Sequence, residues 1–265
     1  RLEDERRPGE LDFDFTTILA DNRVARRLLE AGLASLPCYL PVAELLTLTL
    51  SCSEPLWRNG HSTTFETSTA RPHELGEIAE LLDRTRSGLQ LAPTWSRSEL
   101  ESPARSRGLI AERFIWAGKG EHRLGCAAVW DQSEFKQVVV RGYSRGLERW
   151  RGLLNALAPW TGSPKLPPAG SPLRLGYLSH VAVPAGDAEM LCALIAAARR
   201  RARRLGLDLL ALGLDSRRPE LAAVRRQFRC RETRSVVYLV SRRGMVVPEE
   251  AFDRDRFVHP EIALL

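Results

Sequence analysis

The segment Tyr177-Leu-Ser-His-Val-Ala-Val183 and the turn that follows it, Pro184-Ala-Gly-Asp187, decide the fold that this sequence predicts. The segment has the apolar character of a strand, and a helix begins at Asp187. A turn between a strand end and a helix N-terminus leaves backbone N–H groups unpaired, and such groups can bind the phosphates of a nucleotide cofactor. The turn therefore predicts a cofactor-binding α/β unit.

The residues after this turn continue the same unit. The helix from Asp187 to Leu205 carries apolar residues on one face at helical spacing, and Gly206 ends it. Residues 207–214 form a nearly continuous apolar run, which is typical of a strand covered on both faces. A helix at 219–227 and a strand at 233–240 complete a strand-helix-strand-helix-strand unit.

Size and composition narrow the class of protein. A chain of 265 residues with 44% hydrophobic residues can form one large domain or two small ones. There is no run of 18 apolar residues and no apolar region typical of a signal peptide, so we expect no membrane span or membrane partner. The five cysteines are widely spaced, which argues against disulfides or a zinc site and favours a reducing cytoplasm.

The net charge of +6 raises the alternative of nucleic-acid binding. The densest basic run, residues 199–204, lies at the end of a predicted helix, where cations suit the negative end of the helix dipole. We therefore interpret this run as a solvated helix face rather than a nucleic-acid surface.

Shorter patterns precede the unit. Strands are predicted at 11–19, 45–51, 64–68, 108–117, 123–129 and 136–141, and helices at 22–31, 73–86, 96–101 and 146–160. Residues 53–62 have the composition of a linker, and 161–172 that of a Pro/Gly-rich loop. We expect the polar tail after Arg242 to be loosely ordered.

This order of elements resembles the GNAT superfamily of acyl-CoA N-acyltransferases. In that family a strand with a Leu/Val-Ala-Val-like ending leads into a turn, typically Arg/Gln-x-x-Gly-x-Gly/Ala, that holds the cofactor pyrophosphate. Here His180-Val-Ala-Val183 matches the strand, whereas the turn offers only Gly186 and lacks the arginine or glutamine. Asp215 and Phe228 fall at the start and end of a second family motif, and Ala223 stands where a tyrosine often serves as general acid. The resemblance implies an α/β fold (α+β in some schemes) with a mixed, mostly antiparallel sheet flanked by helices.

The second motif occurs again near the N-terminus. Asn22, Ala25 and Leu28 match its Asn-x-x-Ala-x-x-Leu spacing, with Leu29 at the tyrosine position. We therefore expect a tandem protein. It would comprise the C-terminal half of a first GNAT-like unit (1–55), a linker (56–63), a complete unit with a helical insertion near 146–160 (64–242), and a tail (243–265).

The resemblance also implies a site for acetyl-CoA or another acyl-CoA. The backbone of Val181, Ala182 and Val183 would pair with the pantetheine amides. The N–H groups of Gly186, Asp187 and Ala188 would meet the pyrophosphate. An alternative for Asp187 is an ordinary helix N-cap, whose carboxylate would repel phosphate.

Three side chains are candidates for the base that takes a proton from an acceptor amine: His180, Tyr177 and Glu112. They lie on strands that would flank the cleft in the family's arrangement, and histidine alone of these residue types has an ordinary pKa near neutral. The alternative for His180 is a hydrogen-bonded structural histidine, and the alternative for Glu112 is an exposed strand residue.

Trp130, Asp131 and Tyr143 are candidates for an acceptor pocket, although we favour the alternative that the two aromatic residues anchor the inserted helix. The predicted function is acyl-CoA-dependent transfer of an acetyl group to the amine of a small molecule or peptide. The alternative is a catalytically inactive GNAT-fold module, in which the helix near 146–160 forms a homodimer or domain contact. Nucleic-acid binding ranks last.

Overall fold

A computed structural model of the chain describes residues 13–33, 36–53, 64–120, 122–241 and 252–265. Within these residues, eight strands form one large sheet and two short strands form another. In chain order the strands are β1 (Phe13–Leu19), β2 (Cys38–Ser51), β3 (Glu66–Thr69), β4 (Leu89–Gln90), β5 (Phe114–Lys119), β6 (His122–Asp131), β7 (Leu175–Ala182), β8 (Leu209–Asp215), β9 (Cys230–Ser241) and β10 (Phe257–Val258). The α-helices are α1 (Arg23–Glu30), α2 (Leu75–Arg86), α3 (Arg97–Leu100), α4 (Arg145–Thr161), α5 (Ala188–Arg204) and α6 (Leu221–Gln227).

The large sheet has the order β1-β9-β2-β8-β7-β6-β5-β3. All neighbours in it are antiparallel except β7 and β8, which are parallel. The N-terminal strands β1 and β2 therefore belong to the same sheet as the later strands, with β2 between β8 and β9. The origin of residues 1–55 in a first unit stays a prediction, and most of the expected linker lies outside the described residues.

α5 covers one face of the sheet. It begins after Asp187, whose carboxylate accepts a hydrogen bond from the Met190 N–H (2.9 Å). It ends before Gly206, whose φ of +78° is a conformation that glycine adopts without strain. Its buried side chains join those of β2, β6 and β8 in one apolar cluster. The predicted helix at 187–205 and the apolar strand after it are thus confirmed.

The last segment of the chain corrects one expectation. Phe252, Val258 and Ile262 are buried against β2, β8 and β9 on the face opposite α5, and β10 pairs with β4. The expectation of a loosely ordered tail is therefore wrong for residues 252–265. Residues 242–251 lie outside the described part.

The strand predicted at 136–141 is also wrong. This segment forms only an isolated bridge between Val139 and Pro172. Hydrogen bonds from Leu173 N–H to Val138 O and from Val140 N–H to Ser171 O hold it beside residues 171–173. The β-branched residues do not enter the sheet because both edges of β6 are already paired, one with β5 and the other with β7. They form the base of the loop that carries α4.

α4 confirms the helix predicted at 146–160, and several apolar residues of this helix are largely exposed. Trp150, Leu153 and Trp160 are each more than half exposed, at 56%, 51% and 62%. Ala158 is the buried residue of this helix. No helix among the described residues is long and apolar enough to cross a membrane.

A double-mutant cycle tests the packing of the last segment on β8. A Cβ atom on Gly213 would lie 2.3 Å from Cγ2 of Ile262. Gly213→Ala should therefore lower the free energy of unfolding by about 1–3 kcal/mol through overpacking. Ile262→Ala should lower it by about 2–5 kcal/mol through a cavity. The double variant should lose less than the sum, because the second change removes the clashing atom.

Chemical denaturation of the four proteins measures this coupling. Leu264→Ala truncates an exposed apolar side chain in the same segment and should change stability little. Additive losses at Gly213 and Ile262 would contradict the contact.

Candidate active site

The parallel strands β7 and β8 separate towards their carboxyl ends. Their pairing covers only three residues of each strand, ending with Tyr177 opposite Ala211. Further along β7, a bulge opposite β6 places His180 at a φ of +52°. Such a backbone is strained by about 1–3 kcal/mol in a residue other than glycine, so the surrounding contacts must hold it. We call the opening between the ends of β7 and β8 the strand gap.

His180 is fully enclosed beside this gap. Its ring centroid lies 4.2 Å from that of Trp95, 5.3 Å from that of Phe114 and 5.7 Å from that of Trp130. Nδ1 shares a hydrogen bond with Ser179 Oγ (2.9 Å), and Nε2 has no hydrogen-bond partner in the described structure. Burial, with a smaller effect from Arg105, lowers the pKa of His180 to about 3. The ring is therefore neutral at pH 7 and a weak base.

The last segment of the chain crosses the strand gap. Glu261 Oε2 accepts a hydrogen bond from the His180 N–H on β7 (2.8 Å). Asp215 Oδ2 on β8 accepts one from the Val258 N–H (2.9 Å). Burial raises the pKa of Glu261 to about 7, although the N–H groups of His180 and Ala263 favour its ionised form. The carboxyl group of Glu261 therefore changes charge near neutral pH.

A small cavity adjoins these groups. Its lining includes His180, Val181, His259 and Glu261, and its volume is about 20 Å³, which is room for one water molecule. Burial, followed by the nearby Arg218, lowers the pKa of His259 to about 4. A substrate could enter this place only if its lining moved.

The predicted phosphate turn is satisfied by the protein itself. The Gly186 N–H donates to Glu220 Oε1 (3.1 Å), the Asp187 N–H to Pro184 O (3.1 Å) and the Ala188 N–H to Gly186 O (2.9 Å). Glu220 is buried and paired with Arg218, with Nη2 to Oε1 at 2.7 Å. The N-cap alternative for Asp187 is observed. All three N–H groups expected to meet a pyrophosphate thus have acceptors within the chain.

The remaining strand candidates are dispersed. Ala182 and Val183 are buried in the core, whereas Val181 is half-buried at the cavity. Tyr177 is half-buried, and burial raises its pKa. Glu112 is exposed in a 3₁₀ turn (Ala111–Arg113), where its carbonyl accepts from Arg201. The structure does not bring Glu112 into contact with His180.

The three residues predicted to line an acceptor pocket do not share one. Trp130 is buried, and its Nε1–H donates to Arg107 O (2.8 Å). Asp131 accepts from the Ser133 N–H (3.0 Å). The Tyr143 hydroxyl donates to Pro167 O (2.8 Å), and Tyr143 lines a separate hollow under the α4 loop. Tyr143 therefore anchors the inserted segment, in agreement with the alternative considered from the sequence.

Sequence reasoning missed Glu220, His259 and Glu261. The signal that could have found the last two is the set of apolar residues around His259-Pro-Glu261, namely Phe257, Val258, Ile262 and Ala263. Such flanks indicate a buried segment, and a buried carboxylate needs donors nearby. Across the described residues, no group of three or more His, Cys, Asp or Glu could hold a metal ion.

No protein-family model matches the sequence, and no curated protein matches it. Solved structures do match. A GCN5-related N-acetyltransferase from Sphaerobacter thermophilus aligns with a TM-score of 0.51 at 15% identity, over 89% of this chain and 62% of that one. The chain has the GNAT fold.

Other solved structures align with lower TM-scores. A GCN5-related N-acetyltransferase from Kribbella flavida aligns with a TM-score of 0.46 at 10% identity, over 86% of this chain and 67% of that one. A Saccharomyces cerevisiae N-myristoyltransferase with bound myristoyl-CoA has a TM-score of 0.46 at 11% identity, over 76% and 48% of the two chains.

The GNAT fold confirms the predicted class, a mixed and mostly antiparallel sheet flanked by helices. The chain spans less than two thirds of the length of the Sphaerobacter protein. At 15% identity the likeness shows the fold alone, so a function must be argued from the site.

The raised pKa of Glu261 predicts a pH dependence of stability. Between pH 4.5 and about 7 the folded state keeps a proton on Glu261 that the unfolded state has released, so stability contributed by this group falls as pH rises. Glu261→Gln removes this effect. The stability of the parent minus that of the variant should therefore fall by about 3 kcal/mol across this range.

His180 has the opposite effect on the pH dependence of stability, and it has this effect in both the parent and the variant. Its pKa is lowered from 6.5 to about 3, so its contribution rises with pH over that interval and cancels in the comparison. Denaturant titrations at half-unit pH steps measure the difference. Glu134→Gln, at an exposed position, is the control. A pH-independent difference for Glu261→Gln would contradict the assignment.

Proposed function

We propose that this chain is an acyl-CoA-dependent N-acyltransferase that uses the strand gap. The observation that carries this proposal is the separation of the parallel strands β7 and β8 beyond three paired residues, with the N-terminus of α5 following the end of β7. The carboxyl ends of parallel strands are a general location for ligands in α/β proteins. The GNAT fold supports the same assignment. Acetyl-CoA or a longer acyl-CoA would supply the thioester, and a small molecule or peptide the amine.

The reaction requires one proton acceptor. The amine nitrogen attacks the thioester carbonyl carbon, the carbon–sulfur bond breaks, and the amine loses a proton. Glu261 suits this step because a base works best when its pKa lies near the working pH, and its pKa is about 7. His180, with a pKa of about 3, serves instead to shape β7 around the gap. Tyr177 remains a candidate for returning a proton to the thiolate, since its raised pKa keeps the phenol protonated.

Glu220 would compete with the cofactor pyrophosphate for the Gly186 N–H in this proposal. Its carboxylate accepts from the Gly186 N–H that a pyrophosphate would use, and it pairs with Arg218. If Glu220 turned away, both the N–H group and the guanidinium would become available to a phosphate. The ion pair between Glu220 and Arg218 would therefore have to break before the cofactor could bind at this turn.

Glu220→Gln should tighten acyl-CoA binding by about tenfold. The change removes a negative charge from the place where the phosphate would bind, and it replaces the salt bridge to Arg218 by a weaker hydrogen bond. Calorimetric titration of acetyl-CoA and palmitoyl-CoA into the full chain measures the affinity. Glu232→Gln, which breaks the more exposed pair with Arg225, is the matched control and should change nothing. Absence of binding in every folded variant would exclude the transferase.

Glu261→Gln should lower kcat by about 100-fold or more, because the amide cannot accept the proton. It should leave the affinity for acyl-CoA unchanged. In the parent protein kcat should fall as pH drops below about 7, and this limb should vanish in the variant. A thioester-cleavage assay against pH, with a thermal melt for folding, makes the measurement. An unchanged acid limb would assign the proton transfer to another group.

A second candidate is a non-catalytic GNAT-fold binding module. The observation that favours it is that the turn's three N–H groups and the His180 N–H all have acceptors within the chain. The exposed stripe of α4 would then serve as a homodimer or domain contact. The acyl-CoA titration separates the two functions. For both we propose a reducing, cytoplasmic location, which the free thiols of all five cysteines support.

A further inference from the structure

A second hollow lies beside the strand gap. We call it the cationic groove and define it by Arg105, Arg107, Gln132 and Lys136. Residues 263–265 form another part of its wall, and its volume is about 540 Å³. Trp130 also lines it, and the same ring lies 5.7 Å from that of His180. The groove and the strand gap are thus separated by little more than one side chain.

The charges of this groove are incompletely balanced. Arg105 is paired with Glu99 and lies over the Trp95 ring. Arg107 is exposed, stacks over Phe135 at 5.4 Å, and makes no salt bridge with any residue that the structure describes. An anion entering the groove would therefore meet at least one uncompensated guanidinium.

Lys136 adds a second such cation. Its Nζ donates to the carbonyl oxygen of Leu265 (2.6 Å) and lies 5.1 Å from the Tyr177 ring centroid. It forms no salt bridge with an Asp or Glu side chain among the described residues, and burial lowers its pKa. Asp131 and Glu134 lie in the same stretch of chain but form no salt bridge with Lys136 or Arg107 in the part of the structure described. A partly desolvated cation that lacks an acidic side-chain partner favours a bound anion.

Gln132 provides an independent sign of a ligand. It is 2% exposed, and its Nε2 donates to the carbonyl oxygen of Ala263 (2.9 Å). That bond fixes the orientation of the amide and leaves Oε1 buried with no donor. Buried acceptors in native proteins are nearly always paired, so Oε1 calls for a donor from outside the chain, which an ammonium or a water molecule can supply.

Ala263 links this acceptor to the strand gap. Its carbonyl accepts from Gln132, and its N–H donates to Glu261 Oε1 (3.4 Å). Ala263 would therefore connect an ammonium group bound at Gln132 Oε1 to the carboxyl group that the proposed reaction uses as its base.

We propose that the cationic groove binds an amine that also carries an anionic group, a carboxylate or a phosphate. The amine donates to Gln132 Oε1, and the anionic group binds Arg107 and Lys136. The role of this molecule as acyl acceptor rests on the proposed function, whereas its binding does not.

Two matched pairs of probes test the binding by calorimetry with the full chain and no acyl-CoA. Glycine is compared with glycinamide, and phosphoethanolamine with ethanolamine. The anionic member of at least one pair should bind at least tenfold more tightly than its partner, and the pair that shows this identifies the anion. Arg107→Ala and Lys136→Ala should each weaken that binding by about tenfold. Arg145→Ala removes a charge at the start of α4, outside the groove, and should have no effect.

Equal affinities within both pairs, or an anion preference that survives both groove variants, would overturn the proposal. Failure of the proposed function gives a different result. If the anionic amine binds as expected while acyl-CoA does not, the groove remains a binding site and the transferase is excluded. If acyl-CoA is consumed equally well with ethanolamine and phosphoethanolamine, and with glycinamide and glycine, the transferase stands and the groove is not its acceptor site.

Discussion

Two buried carboxylates fix the position of the last segment between β7 and β8, and the site depends on them. Glu261 reaches from the segment to the His180 N–H on β7, and Asp215 reaches from β8 to the Val258 N–H in the segment. A buried carboxylate is costly unless it is hydrogen-bonded, so each contact specifies one register of the segment against the sheet. The small cavity, the wall of the cationic groove and the packing of Ile262 on Gly213 all follow from that register.

The position of β2 between β8 and β9 also supports this site. Because β2 pairs with both β8 and β9, β8 has a hydrogen-bonded neighbour on each edge and apolar cover on each face. Its sequence is accordingly apolar almost throughout, as a strand buried on both faces requires. β8 can therefore separate from β7 after three paired residues and still remain in the sheet, since β2 pairs with its other edge as far as Asp215. The strand gap is a consequence of this pairing as much as of the His180 bulge.

Local patterns predicted the elements whose burial is uniform along their length. α5 and β8 carry a period of 3.6 and a continuous apolar run, and both lie where the sequence places them. The pattern fails where partners distant in sequence decide the outcome. Residues 136–141 have strand propensity but find the edge of β6 occupied by β7. Residues 257–263 belong to a tail with many charged residues, yet Glu261 is buried there, and the backbone N–H that accommodates it belongs to β7. The likeness to a known fold predicted a phosphate turn, but it could not reveal that Glu220 would fill it.

Glu220 and Glu261 both accept hydrogen bonds from backbone N–H groups, but their electrostatic surroundings differ. Glu220 pairs with Arg218, so its charge is compensated inside the protein. Glu261 accepts from backbone N–H groups alone within the described residues, and burial raises its pKa to about 7. Near neutral pH, therefore, Glu261 exchanges a proton without losing a salt bridge, whereas moving Glu220 must break one. In the proposed site, the turn at Gly186 would therefore open in response to a competing anion, whereas the strand gap would respond to a proton.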